Sequence, residues 1–148
     1  MTINHYTGLI AAGLLAFAAV AVQAREDIQD FSIKDALSVE AAKEKLSGDV
    51  KFFFGKDSYA EPSKSYGVFS TSKKTNAFGK SDTEACHWAF LSAMIALDER
   101  ALLEGGNAVV DIKSNYDNNL TESTTTFKCG AGNIMAGVAL QGRVVTLP

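Results

Sequence analysis

Residues 81–104 constrain the fold of this chain more than any other stretch, because they predict one long helix with both ends defined. Ser81 and Glu84 have the S-x-x-E spacing of a capping box, in which two side chains satisfy free backbone N–H groups at a helix start. Gly105 and Gly106 follow the last helical residue, and glycine readily adopts the left-handed backbone that ends a helix.

One side of this helix is apolar at helical spacing, about 100° per residue. Its members are Cys86, Ala89, Phe90, Ala93, Met94, Leu97 and Ala101. Cys86 lies near the middle of this stripe, so we expect its side chain to point into the core.

Residues 1–24 have the features of a secretory signal peptide. An uncharged apolar run at 8–22 closes on the small-x-small pattern VQA at 22–24. The run is short for a membrane span, which needs about 20 residues. Because no Lys or Arg precedes it, a membrane anchor stays as the alternative. We expect residues 25–148 to be periplasmic or secreted, without a stable membrane anchor.

The chain has two cysteines, Cys86 and Cys129. Export to an oxidising space favours their pairing. Strand alternation places Cys129 on the same face as Phe127, which is a natural core residue. We therefore predict a structural disulfide between Cys86 and Cys129.

Residues 25–148 are enough for one domain. A short edge strand is predicted at 28–33 and a short helix within 35–48, with Ser38 as its N-cap. Further strands are predicted at 50–55, 66–76, 107–113, 122–129 and 134–147. The order β-β-α-β-β-β with short connections favours a small antiparallel or mixed sheet with the long helix on one face, an α+β fold.

A second apolar row lies on the side of the helix opposite the Cys86 stripe. It consists of Trp88, Leu91, Ile95 and Leu102. A helix on a single sheet should expose that side to water. Either the leading segment 25–48, with Phe31, Leu37 and Leu46, covers the row, or another chain does, as a homo-oligomer or an envelope partner. Cover by the leading segment is the favoured interpretation.

Few residues of the sequence support a catalytic site or a metal site. Cys86 and His87 point about 100° apart, whereas a nucleophile and its base must be within hydrogen-bond reach. His87 falls on the polar side of the helix near Asp98 and is interpreted as a solvated residue. It is the one histidine outside the signal segment, too few for a zinc set. We predict no catalytic residue, no metal and no cofactor.

The GKS tripeptide at 79–81 is not a phosphate-binding loop, because a P-loop needs glycine where Lys74 stands. Lys73, Lys74 and Lys80 nevertheless flank a helix N-terminus, whose dipole favours anions. They are a candidate anion or ligand contact, and a solvated basic loop is the alternative. The net charge of −3, spread without long runs, argues against nucleic acid.

Two stretches, SKKTNAFGKSDTEACHWAFLSAMIALDERALLEGGNAVVDIKSNY and CGAGNIMAGVALQGRVVTL, resemble a family of small exported bacterial proteins labelled excinuclease ATPase subunit-like. The resemblance covers nearly all of residues 25–148. The label implies an ATPase of DNA repair. Predicted export, small size and the broken P-loop argue that this label is wrong.

More distantly, GGNAVVDIK, a polar hairpin and MAGVALQGRVVTL are similar to the YbjQ-type domain, often called a heavy-metal-binding domain, and to the disulfide-bonded domain of the RcsF envelope-stress sensor. The resemblance implies a helix on a small sheet, ring assembly in YbjQ-type domains and envelope partners for RcsF. The chain lacks the lipid-bearing cysteine and the second disulfide of RcsF.

Together these features predict a non-enzymatic, exported binding or protein-interaction module of the cell envelope. The alternative is a small-ligand, anion or metal-binding protein that uses Lys73, Lys74, Lys80 or His87.

Overall fold

The computed structural model describes residues 26–148, so the predicted signal peptide at 1–24 lies outside the described residues. In chain order the elements are β1 (Glu26–Ser32), α1 (Ile33–Ser38), α2 (Glu40–Lys45), β2 (Lys51–Phe54), β3 (Lys64–Asn76), α3 (Asp82–Glu104), β4 (Ala108–Tyr116), β5 (Asn119–Thr121), β6 (Thr126–Gly132) and β7 (Met135–Thr146).

The seven strands form one mixed sheet around β7. β3 runs antiparallel to β7 along its length, on one side. On the other side, β6 pairs with the start of β7 and β4 with its end. β1 extends the sheet from β6, and β2 extends it from β4 as a parallel neighbour. The prediction of a sheet with one long helix is therefore confirmed, and the sheet is mixed and larger than expected.

The long helix begins and ends where the sequence predicts. The Ser81 hydroxyl accepts a hydrogen bond from the Glu84 backbone N–H at 3.1 Å. Gly105 has a left-handed backbone with φ of 84°, and its N–H donates to the carbonyls of Ala101 and Leu102. A left-handed glycine satisfies carbonyls that the last turn leaves free.

The leading helix was predicted as one element capped by Ser38, and this is wrong. Ser38 ends α1, and Val39 separates α1 from α2 in an extended conformation without a side-chain cap. The N-cap is Ser32, whose hydroxyl accepts from the Asp35 N–H. The Ser38 hydroxyl instead donates back to the Asp35 carbonyl at 2.8 Å, a local bond that competes with continuation of the helix.

The core lies between α3 and the face of the sheet that carries Phe127, Val138 and Leu140, called here the helix-covered face. All seven residues of the predicted stripe are buried. Phe90 of α3 stacks on Phe127 with ring centroids 4.1 Å apart. Full burial of such a side chain contributes about 1.5–3 kcal/mol. The opposite face, which carries Val68, Lys128 and Arg143, is called the open face.

The predicted disulfide is confirmed. Cys86 in α3 and Cys129 in β6 are bonded, with their Cα atoms 5.9 Å apart and both residues fully buried. The bond joins the helix to the sheet across a sequence separation of 43 residues. In the chain-entropy model a loop of this length contributes about 4 kcal/mol. A buried disulfide is consistent with an exported protein.

Candidate functional site: an apolar groove beside the long helix

The structure divides the second apolar row of α3. Leu91 is buried and Ile95 is half-buried, whereas Trp88 is 40% exposed and Leu102 is 45% exposed. Leu91 and Ile95 therefore reach toward the protein interior, whereas Trp88 and Leu102 remain at the surface.

The leading segment covers part of α3, as the favoured interpretation expected. Ile33 and Ala36 of α1 are buried in the core. Phe31, Leu37 and Leu46 are half-buried and pack against the same core. The cover stops short of Trp88 and Leu102, so the expectation of intramolecular cover holds for only part of the row.

A buried carboxylate ties the leading segment to α3. Asp98 is 3% exposed and accepts hydrogen bonds from the Ser47 backbone N–H at 3.0 Å and from the Ser47 hydroxyl at 2.8 Å. The sequence places Asp98 on the polar side of the helix, and in the structure the segment after α2 folds over it. Charge-assisted hydrogen bonds of this kind are stronger than neutral ones.

A groove runs between the leading segment and the first turns of α3, with a volume of about 420 Å³. Its apolar surface comes from Val39, Ala41, Trp88 and Leu91. Its polar surface comes from Ser81, Thr83, Glu84 and His87. Mostly apolar concavities of about 300–1,000 Å³ with a few polar groups are typical of binding sites.

Trp88 is the one tryptophan of the chain, and its half-exposed ring lines this groove. Buried in a contact, such a side chain contributes a large apolar area, and its indole N–H can still find a partner. His87, expected to be solvated, is half-buried in the groove wall. Its neighbour Cys86 is part of the disulfide and therefore has no free thiol.

The structure does not bring the three candidate lysines together. Lys73 and Lys74 are consecutive residues of β3, so their side chains project to opposite faces of the sheet. The Lys80 ammonium donates to the Asn76 carbonyl at 3.1 Å within the turn before α3. The GKS tripeptide is therefore a helix-entry turn, in which Ser81 serves as the cap.

Within residues 26–148, no group of three or more His, Cys, Asp or Glu side chains is placed to hold a metal ion. Across the same part of the chain, no helix has the length and apolar character to cross a membrane.

Sequence reasoning missed a charged cluster on the open face. Asp111 of β4 accepts from the Tyr59 hydroxyl at 2.8 Å and from Nη2 of Arg143 at 3.0 Å. The hydrogen bond with Asp111 raises the pKa of the Arg143 guanidinium, against the lowering effect of burial. No local pattern in the sequence reveals this cluster, because β4 and β7 carry other polar residues, such as Lys113 and Gln141, and Tyr59 comes from a distant loop.

Comparisons of the chain with protein-family models, with curated proteins and with solved structures found no match.

Proposed function

We propose that this chain is a non-enzymatic, exported binding module of the cell envelope that holds a protein partner in the groove beside Trp88. In this proposal residues 25–148 act as one periplasmic α+β domain, and the chain is a relative of the exported proteins and the YbjQ-type and RcsF-like domains that it resembles. The proposal does not include the ATPase activity that the excinuclease label implies.

The single observation that carries the proposal is the groove itself. Val39, Ala41 and Leu91 form an apolar surface beside a tryptophan that the leading segment leaves half-exposed. Interfaces derive most of their binding energy from a few central side chains, and tryptophan is enriched among them. A partner side chain inserted here would release water from the Trp88 ring and from the apolar surface around it.

The charge at the groove indicates the chemistry of the partner. Glu84 lies at the polar end, next to Ser81, and its side chain is exposed. We therefore expect a partner segment that presents a large apolar side chain with a Lys or Arg beside it. The apolar residue would fill the groove, and the basic one would face Glu84.

The test places a photo-crosslinking residue at Thr83, on the exposed rim, in intact cells that export the protein. The matched control carries the same residue at Thr124, an exposed loop position away from the groove. We expect a discrete crosslinked protein at Thr83 and none at Thr124. Ala41→Leu, which fills the groove, should remove the crosslink, whereas Ala41→Ser should keep it.

With the captured protein purified, isothermal titration calorimetry measures its affinity for the unmodified chain and for the Trp88→Ala variant, which has no tryptophan left to report binding by fluorescence. Trp88→Ala should weaken binding about 30-fold, the effect of a hot-spot residue of about 2 kcal/mol. Equal crosslinking at Thr83 and Thr124, or an unchanged affinity of the Trp88→Ala variant, would contradict the proposal.

The volume of the groove favours a small apolar ligand as the second candidate. Native mass spectrometry of the purified chain separates the two. A bound molecule of small-ligand mass that denaturation releases, and that Ala41→Leu excludes, would favour the ligand over the protein partner.

A further inference from the structure

The open face carries a second site, built around a bulge in β4. Val109 and Ile112 both contact the core on the helix-covered face, although they are three residues apart. The register of β4 on β7 shifts between Val110 and Lys113, and Asp111 in this interval has a left-handed backbone with φ of 54°. Aspartate is one of the few residues besides glycine that adopt a left-handed backbone, because its short polar side chain can hydrogen-bond locally.

The bulge directs the Asp111 carboxylate into a closed set of hydrogen bonds. Tyr59 donates to Oδ1 at 2.8 Å, and Arg143 donates to Oδ2 from Nη2 at 3.0 Å and from Nε at 3.3 Å. Nη2 of Arg143 also donates to the Tyr59 hydroxyl at 2.9 Å. Burial and the hydrogen bond to Asp111 raise the pKa of the Tyr59 hydroxyl above its usual value.

This arrangement orients Arg143 without using all of its donors. The hydrogen bonds found for its guanidinium within residues 26–148 involve Nε and Nη2. A guanidinium has five N–H groups, so the two on Nη1 remain for a further acceptor. A planar guanidinium held in place loses little freedom on binding a carboxylate.

Arg143 lines a cavity of about 200 Å³. Lys113 and Gln141 supply further N–H donors, while Val68 and Leu120, each more than half exposed, supply apolar surface.

The charge around the cavity favours an anion. Glu122 lies 3.0 Å from Lys113 and 3.7 Å from Lys56. Neither Glu122 nor the exposed Lys56 lines the cavity, whose charged lining consists of Lys113, Arg143 and Asp111, two cations and one carboxylate with a net charge of +1. The whole chain has a net charge of −3, so the cavity is locally opposite in sign to the protein.

We propose that this cavity binds a small organic carboxylate, with its oxygens on Arg143 and Lys113 and its carbon chain against Val68 and Leu120. A monoanion balances the net charge of the cluster, and the apolar side chains suit carbon rather than a fully polar ion such as phosphate. This site is on the face of the sheet opposite α3, and it does not depend on the proposed groove function.

The test is a titration of ¹⁵N-labelled residues 25–148 with butyrate, followed by amide chemical shifts. Butyramide, which has the same shape without the charge, and inorganic phosphate are the matched probes. We expect saturable shifts at Val68, Lys113 and Gln141 with butyrate only. The absence of shifts, equal shifts with butyramide, or shifts with phosphate alone would each overturn the proposal.

Substitutions at two lining positions, Val68 and Lys113, sharpen the result and leave Arg143 itself unchanged. Val68→Asp should abolish butyrate binding by charge repulsion, whereas Val68→Asn, of the same size, should keep it. Lys113→Met should weaken binding about tenfold, in keeping with the loss of one charge-assisted hydrogen bond. Lys34→Met, at an exposed position on α1, is the control and should bind as the unmodified protein does. Equal affinities of the Asp and Asn variants would overturn the proposal.

Discussion

Replacement of Asp98 by alanine should release the leading segment from α3 while the rest of the fold remains intact. Asp98 is 3% exposed and holds Ser47, 51 residues earlier in the chain, through two hydrogen bonds. These bonds fix the end of the segment that supplies Val39 and Ala41 to the groove. Their loss should therefore affect stability and groove structure together.

The magnitude follows from the two bonds and from the burial of the carboxylate. A hydrogen bond to a charged group contributes about 1.5–3 kcal/mol, so the lower end gives about 3 kcal/mol for two. Removal of the carboxylate also relieves its burial cost, and Ser47 is exposed enough for water to satisfy it. We expect Asp98→Ala to lower the free energy of unfolding by about 2 kcal/mol. Asp98→Asn, which keeps an acceptor oxygen, should lower it by about half as much.

Urea unfolding followed by circular dichroism measures the stability change, and amide hydrogen exchange locates it. The protection of backbone amides from exchange should fall in α1 and α2 much more than in the sheet. Local unfolding is governed by local contacts, and the lost hydrogen bonds hold only the leading segment. Trp88 emission should shift to longer wavelength as the groove opens. A double-mutant cycle with Ser47→Ala should give a coupling energy of about 1 kcal/mol for the side-chain pair.

A loss below about 0.5 kcal/mol for Asp98→Ala, within the range of ordinary surface substitutions, would refute this reasoning. So would a loss of protection spread evenly over the whole sheet, because the Asp98 bonds would then not be specific to the leading segment.

Three further predictions concern the disulfide and the open face. Joint replacement of Cys86 and Cys129 by alanine should lower the free energy of unfolding by about 4 kcal/mol in urea, and a loss below about 1 kcal/mol would contradict the loop-entropy argument. Burial and the hydrogen bond to Glu26 raise the pKa of Tyr116 to about 12. The folded state then holds a proton that the unfolded state loses above its usual pKa of about 10, so stability should fall between pH 10 and 12. The stability of the Tyr116→Phe variant should fall less between pH 10 and 12 than that of the unmodified protein. Identical dependences of stability on pH for the two proteins would disprove the role of Tyr116. A Cβ added at Gly130 would overlap the Tyr116 hydroxyl. Gly130→Ala should therefore separate Tyr116 from Glu26 and return its pKa toward 10 in an ultraviolet titration, and an unchanged curve would show that the ring accommodates the methyl group.

Elements with a strong local signal were predictable. The long helix was predicted because its cap, its stop and its apolar stripe all lie within one stretch, and the structure has the same ends. The disulfide was predicted because one cysteine lay on that stripe and the other on the face of Phe127. The short leading helix was not, because the bond from Ser38 to the Asp35 carbonyl competes with a helix pattern that the composition favours.

The candidate sites were harder to predict than the fold. The second apolar row was visible in the sequence, but only the docked leading segment shows that Leu91 is buried while Trp88 is not. The three lysines were neighbours along the chain, yet strand alternation separates Lys73 from Lys74. The Tyr59, Asp111 and Arg143 cluster joins a loop to two strands and has no local pattern to reveal it.

The sequence by itself determined the features that depend on nearby residues: the ends of α3, the apolar stripe and the inward direction of both cysteines. These follow from backbone propensities and from the periods of helix and strand, which act over a few residues. Tertiary structure alone decided which surfaces stay open and which charges meet. The groove beside Trp88 exists because Ser47 docks on Asp98, and Arg143 is oriented because a bulge in β4 turns Asp111 toward it. Such contacts depend on chain segments that are distant in sequence, and their geometry is set only when the sheet and helices have packed.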